Sequence, residues 1–249
     1  MLTQPLLDKL SQLRLTAFRV ALEEQLHNPQ YADLPFEDRL GLLIDVECTH
    51  RDNNRLKRRL KTARLPLPAT IEDLDMSASR GLDRSLVLQL AKGEWISQHL
   101  NILVLGPTGV GKTFLTCALA HSACRHDFTV RYFRTSRLLH QIALAHADGS
   151  YPKLLNTFAR TQCLIFDDWL RDPLTRSQSQ DLLEILDDRY GRSATLVATQ
   201  VPVAEWHARF PDPTIGDAIL DRLIHNAYRF NLQGESRRKA DSPLPMPTT

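Results

Sequence analysis

Residues 101–113, NILVLGPTGVGKT, join a short apolar run to an octet with the spacing G-x-x-x-x-G-K-[ST]. The run 101–105 is continuous and hydrophobic after its first residue, as in a strand covered on both faces. Three glycines in the octet let the backbone curl until successive N–H groups point inward at phosphate oxygens. Lys112 brings an ammonium within reach of β- and γ-phosphates, and the Thr113 hydroxyl suits Mg²⁺. The helical pattern over 112–124 would aim its positive dipole end at the same anion. With glycine at roughly 7% of residues, chance produces this spacing in about one chain in a hundred of this length. The strand before it and the helix after it make chance a poorer account still. Gly106, Pro107, Thr108, Gly109, Val110, Gly111, Lys112, Thr113 and Phe114 are therefore the candidate binding site for a nucleoside triphosphate, ATP with Mg²⁺.

Downstream, the chain alternates strand-like and helix-like patterns. Apolar runs at 129–133, 163–166, 195–199 and 228–232 are separated mostly by helical periodicity, the pattern of a parallel sheet with crossover helices. The expected fold is α/β, with a small all-α domain ahead of it. The stretch CLIFDD at 163–168 is a strand ending in two carboxylates. Asp167 would reach the Mg²⁺ shell, and Asp168 would polarise the attacking water. Adjacent residues at a strand end supply the two roles from opposite sides of the chain. The competing reading is a solvated turn, which the phosphate loop upstream disfavours.

Residues 1–65 read as helical. Leu6, Leu10, Leu13, Ala17 and Ala21 fall near one stripe, and Asn28-Pro29 interrupts it. A second helix is expected from about Pro35, burying Leu40, Leu43 and Ile44. A third is expected over 49–64. There Arg51, Arg55, Arg58 and Arg59 share a face, while Leu56, Leu60 and Ala63 form another. Lys57, Lys61 and Arg64 widen the basic side, and Asp52 is the one acid between Thr49 and Arg64. Cations spaced along a rigid rod suit DNA phosphates without base readout; a merely solvated face is the alternative. Lys153 and Arg160 are further candidates for DNA contact. The LPLP at 65–68 ends the helix and places the domain boundary. Residues 66–240 would form the nucleotide-binding domain, with a connecting segment and one helix over 69–99. The Pro-rich end, 241–249, is expected to be a disordered tail.

Composition narrows the class further. The 249 residues carry a formal net charge of only +2, so any attraction for nucleic acid must come from local placement. Cys48, Cys117, Cys124 and Cys163 form no C-x-x-C pair and are expected to be reduced and mostly buried. No apolar run approaches the roughly 18 residues of a membrane span. The N-terminus lacks a signal-peptide pattern. A soluble, cytoplasmic bacterial protein is expected.

Several stretches together resemble the IstB-like members of the IstB/DnaC branch of the AAA+ ATPases. They are RRLKTARLPLPATIEDLD (58–75), GLDRSLVLQLAKGEWI (81–96), the phosphate loop, LIFDD (164–168), LLEILDDRYGRSATLVATQVPVAEW (182–206) and DPTIGDAILDRLIHNAYRFNLQGESRRK (212–239). The resemblance implies an AAA+ fold and an ATPase that helps a bacterial insertion sequence transpose. It implies three further roles. Gln200, beside Thr199, matches the polar sensor that orients water. Arg222 matches the arginine finger offered to a neighbouring subunit. Arg238 matches the second sensor on the nucleotide's own subunit, with Arg237 as its rival. Against the finger stands a surface arginine paired with Asp217 or Asp221, and Arg189 and Arg192 compete for the role. Where many relatives carry Glu, this chain has the shorter Asp168, which leaves the rate of basal hydrolysis open, slow turnover included. The expected partners are double-stranded DNA, a cognate transposase and further copies of the chain in a higher oligomer. Two other readings stay open. One is a DnaC-type helicase loader, for which Tyr151, Phe158 and Trp169 would have to form a stacking surface. The other is an ATP-binding DNA coat with little turnover.

Overall fold

The computed structural model describes residues 3–77 and 81–234; Arg237, Arg238 and the tail expected at 241–249 lie outside the described residues. The chain divides into two compact units, Met1–Arg58 and Arg59–Thr249. The division falls within a helix, short of the boundary expected at LPLP.

The first unit begins with helices α1 (Thr3–Gln12) and α2 (Thr16–His27). Arg14 takes a left-handed φ of 58° between them, so the expected stripe is broken in two. Leu7 and Leu10 are buried, while Leu6 and Leu13 stand in solvent. Helix α3 (Phe36–Ala63) follows directly on Pro35. It runs without a break where two segments were expected, because Gly41 is its sole glycine and no proline follows Pro35 until Pro66. Leu43 is buried on it, whereas Ile44 is exposed. The buried carboxylate of Glu47 accepts hydrogen bonds at 3.0 Å from the backbone N–H groups of both Ala17 and Phe18. It thereby caps α2 from another helix, and Arg51 Nε donates to its other oxygen at 2.7 Å.

In the second unit, α4 (Arg84–Ala91) is capped by the Asp83 side chain, and α5 (Glu94–Ser97) follows Gly93 at φ 80°. That left-handed glycine gives two short helices where a connecting segment and one helix were expected within 69–99. Then come β1 (Asn101–Leu105), α6 (Lys112–Arg125), β2 (Val130–Arg134), α7 (Thr135–Ala147), α8 (Tyr151–Ala159) and β3 (Cys163–Asp167). They are followed by α9 (Arg176–Arg189), β4 (Ala194–Thr199), α10 (Pro213–Ile224) and β5 (Ala227–Asn231). The strands form one parallel sheet in the order β2-β3-β4-β1-β5. The expected strands are all present, with ends displaced by a residue where the ladder sets them.

Leu103, Leu164, Phe166 and Val197 turn to one face of the sheet, into a core with Leu138, Ile142, Ile185, Trp206 and Ile219 from the helices and the loop before α10. Helix α6 covers strands β1, β2 and β4 with Leu115, Leu119 and Ala123 buried. The segment after α3 lies along α6, where Ala69 packs on Cys117 and Ala118. Arg189 is buried at 1% exposure and, among the described residues, forms no salt bridge. Its Nη1 donates to the carbonyls of Phe158 and Thr161, each at 2.6 Å, and its Nη2 to that of Ala194. It thus bolts the end of α8 to the start of β4. Burial pulls its pKa down to about 10, which leaves it charged at neutral pH.

Candidate nucleotide site

The crest of the sheet gathers the ends of β1, β3 and β4. The loop leaves β1 after Leu105, with Gly106, Gly109 and Gly111 at φ 148°, 84° and 102°. At Gly106 a β-carbon would lie 2.6 Å from the Leu232 carbonyl oxygen, so a side chain there would displace the strand end. Lys112 Nζ donates to the carbonyls of Gly106 and Pro107 at 2.8 Å each, which holds the ammonium against its own loop. Thr108 Oγ1 donates to Gln200 Oε1 at 2.5 Å, tying the residue after β4 to the loop.

At the end of β3, the Thr113 hydroxyl donates to Asp167 Oδ2 at 2.8 Å. Asp167 is 2% exposed, and its Oδ1 accepts the Asp168 backbone N–H at 2.9 Å. One carboxylate and one hydroxyl, with room for phosphate oxygens and water, form a donor set suited to Mg²⁺. Asp168 leaves the strand at φ 55°, a left-handed conformation that Asp tolerates better than most residues. The turn is held in place because Trp169 N–H donates to Ala198 O at 3.0 Å and Thr199 Oγ1 to Trp169 O at 2.6 Å. Asp168 therefore projects into the cleft, half-exposed, with Arg134 Nε 4.0 Å from its carboxylate. A cavity of about 470 Å³ runs from the loop and Asp168 to an apolar end made by Leu67, Leu74, Leu82 and Leu232, with Asp75 in its wall.

The remaining expected residues are scattered. Arg222, on α10, donates its Nη1 to Ala218 O at 2.8 Å and pairs with Asp187. Its guanidinium carbon lies 5.9 Å from the Tyr190 ring centroid. The surface pairing with Asp217 or Asp221 does not form, since those carboxylates face His207 and His225. Asn101 Nδ2 donates to Arg222 O at 2.9 Å. Asn101 opens β1 and the loop leaves its far end, four residues or about 13 Å away. Arg222 thus sits at the opposite end of the sheet from its own loop. The burial of Arg189 removes that rival for the finger.

On α3, Arg55 pairs with Asp52 at 3.2 Å and stays 62% exposed. Arg59 is 18% exposed, pairs with Asp127 and donates to Cys124 O at 3.3 Å. Lys57, Arg58 and Lys61 are exposed, as is Lys153 on α8. The aromatic surface that a single-strand platform would need is not assembled. Phe158 and Trp169 are buried, and Tyr151 stacks on His146 and donates to Glu184 at 2.7 Å.

Sequence reasoning missed Tyr132, Arg134, Asp187 and the apolar end of the cavity. Tyr132 on β2 is 8% exposed and donates its hydroxyl to Asp167 Oδ2 at 2.5 Å. Burial, and then the hydrogen bond to Asp167, push its phenol above the ordinary tyrosine range. Nothing in VRYFR marks one aromatic as different; the contact needs the β2–β3 register, which pairs Tyr132 with Ile165 and Arg134 with Asp167.

A parallel sheet in this order, with the phosphate loop after β1 and an acidic pair after β3, defines the chain as a P-loop nucleotide-binding protein of the AAA+ class. A crystal structure of the DnaC helicase loader superposes with a TM-score of 0.52 at 17% identity, over 64% of this chain and 96% of that one. The chain belongs to the IstB-like ATP-binding protein family, whose model matches residues 8–244. It is 46% identical over 239 residues to an insertion sequence ATP-binding protein of Sinorhizobium fredii, covering 96% of this chain and 98% of the relative. It is 45% identical over 219 residues to the ATP-binding protein of insertion sequence IS1162 from Pseudomonas fluorescens, covering 86% and 95%. Among the described residues, no helix is long and apolar enough to cross a membrane.

Proposed function

We propose that this protein is the ATPase helper of an insertion sequence, assembling on duplex target DNA in its ATP-bound form and recruiting the cognate transposase. The supporting observation is Arg222, which stands at the end of the sheet remote from its own phosphate loop and would have to act on the nucleotide of an adjoining subunit. A nucleotide between two copies would have the loop, Asp167, Asp168 and Gln200 of one and Arg222 of the other. A guanidinium suits that place because it is always charged and forked. Lys112 would leave its loop carbonyls for the β- and γ-phosphates, and Gln200 would orient the attacking water. Thr113 and Asp167 would hold Mg²⁺, which when bound neutralises charge on the phosphates. Asp168 would draw the proton from water, and loss of the γ-phosphate would release Arg222 and disassemble the oligomer. Arg238 is assigned to the same subunit's nucleotide by its motif. Duplex contact falls to Arg55, Lys57, Arg58 and Lys61, helped by Lys153; Arg51 and Arg59 are held by Glu47 and Asp127, whereas the Arg55–Asp52 pair is itself solvent-exposed. The transposase follows from the insertion-sequence relatives.

The second reading, a coat with little turnover, is favoured by one observation: Asp168 is a short carboxylate that lies near Arg134. Measuring ATPase rate and particle mass with duplex DNA, single-stranded DNA and no DNA separates the readings. Duplex-dependent assembly with turnover is the expected result. Assembly without turnover would support the coat, and preference for single strands a loader. A monomer under all three conditions would sink the shared site.

A further inference from the structure

Asp167 Oδ2 receives two hydroxyl protons, one from Thr113 at 2.8 Å and one from Tyr132 at 2.5 Å. The first donor belongs to the phosphate loop and is already part of the nucleotide site. The second comes from the neighbouring edge strand and has no role in the function proposed above. Its position follows from the sheet. Tyr132 pairs with Ile165, two residues before Asp167, which is about 6.6 Å along the strand. Only a long side chain lying parallel to the strand spans that gap, and only one ending in a donor can meet the carboxylate there. Phenylalanine would fill the same space and leave Oδ2 with one proton.

The two donors exhaust the in-plane lone pairs of Oδ2, while Oδ1 takes the Asp168 N–H at 2.9 Å and keeps one lone pair open. A carboxylate on a broad sp³–sp² torsion is otherwise loosely set. Here it is fixed from three directions by the loop, by β2 and by its own chain. Thr135 Oγ1, at the start of α7, donates to the Asp167 carbonyl at 3.0 Å and leaves the carboxylate alone.

We propose that Tyr132 is a positioning residue for the divalent cation. It locks the Asp167 carboxylate so that Oδ2 stays on the Thr113 hydroxyl and Oδ1 offers its remaining lone pair to the ion's shell. This rests on the nucleotide-site reading. The Tyr132 hydroxyl touches neither nucleotide nor metal; its effect is exerted through Asp167 and is felt only when the cation is present.

The test is binding of a fluorescent ATP analogue to the full chain, titrated with Mg²⁺ and repeated in EDTA, for parent and Tyr132→Phe. The variant is expected to need at least fivefold more Mg²⁺ for half-maximal binding, with unchanged affinity in EDTA and a urea midpoint near the parent's. Placed in an Asp167→Asn background, Tyr132→Phe is expected to shift nothing further, because the carboxylate it orients is gone. An unchanged Mg²⁺ midpoint, or an equal loss of affinity with and without Mg²⁺, would overturn the proposal, the latter by marking Tyr132 as a packing residue. Failure of the parent itself to bind the analogue would overturn the underlying site reading instead, so the two failures are told apart.

Discussion

Asp168 occupies a left-handed turn that is bolted to β4, so its carboxylate has little freedom to compensate for its length. Replacing it with Glu adds one methylene toward the water it would activate. Asp168→Glu is expected to raise turnover severalfold, and Asp168→Asn to lower it about 100-fold or more with ATP affinity kept. Phosphate release and analogue binding, measured side by side, check both; a fast Asn variant would remove Asp168 from the chemistry. At this scale the sequence was informative wherever chemistry and spacing coincide. Lys112, Thr113 and Asp167 could be read because a phosphate loop and an acidic strand end admit few residue types. Tyr132 and Arg134 could not, since their meaning comes from the strand lying beside them. Phe158 and Trp169 show the reverse failure, looking like a stacking platform by composition while serving as core.

Among the elements, α3 carries a structural duty and, in the proposed function, a binding one. Its Glu47 caps α2, and although burial works against the charged form, the Phe18 N–H and Arg51 hold its pKa below the usual value. A carboxylate whose folded pKa is lowered contributes stability above its unfolded pKa of 4.5 and loses it as pH falls through the folded value. The α1–α3 unit is therefore expected to loosen below about pH 4.5, and Glu47→Gln to destabilise it at pH 7 by about 1 kcal/mol, the usual worth of a cap. Amide exchange over residues 16–20 reads both; identical protection in parent and variant would contradict the capping role. The outer face of the same helix is the proposed DNA contact. Replacing Arg55 and Arg58 with Ala should weaken duplex binding across all sequences and flatten the salt dependence by about two units of slope, with ATP binding spared. Anisotropy titrations at several salt concentrations measure this, and an unchanged slope would move the interface elsewhere. The continuous helix itself was hidden in the sequence, where Thr49 and the switch from apolar to basic residues suggested two segments. The parallel strands were legible because each is a short apolar run between helical stretches, while their order needed the ladder.

At the scale of the whole molecule, Lys112, Asp168 and Gln200 lie at one end of the sheet and Arg222 at the other, parked on Asp187 and Tyr190. A head-to-tail contact between copies brings opposite ends together, and such contacts extend into rings or filaments. The family resemblance pointed to Arg222, but its distance from its own loop emerged only with the fold. On the proposed reading ATP would act as the joint between subunits, and its hydrolysis as their release. Mixing two variants tests this most directly. Arg222→Ala keeps its loop and acids but offers no finger, and Asp168→Asn offers a finger but has no working acid. Each alone is expected to be inactive as an ATPase on duplex DNA. Mixed one to one, about a quarter of the contacts in a head-to-tail assembly join a competent loop to a competent finger. Activity should return to roughly that fraction of the parent's. A mixture as silent as its parts, or an Arg222→Ala protein as active as the parent, would contradict the shared site.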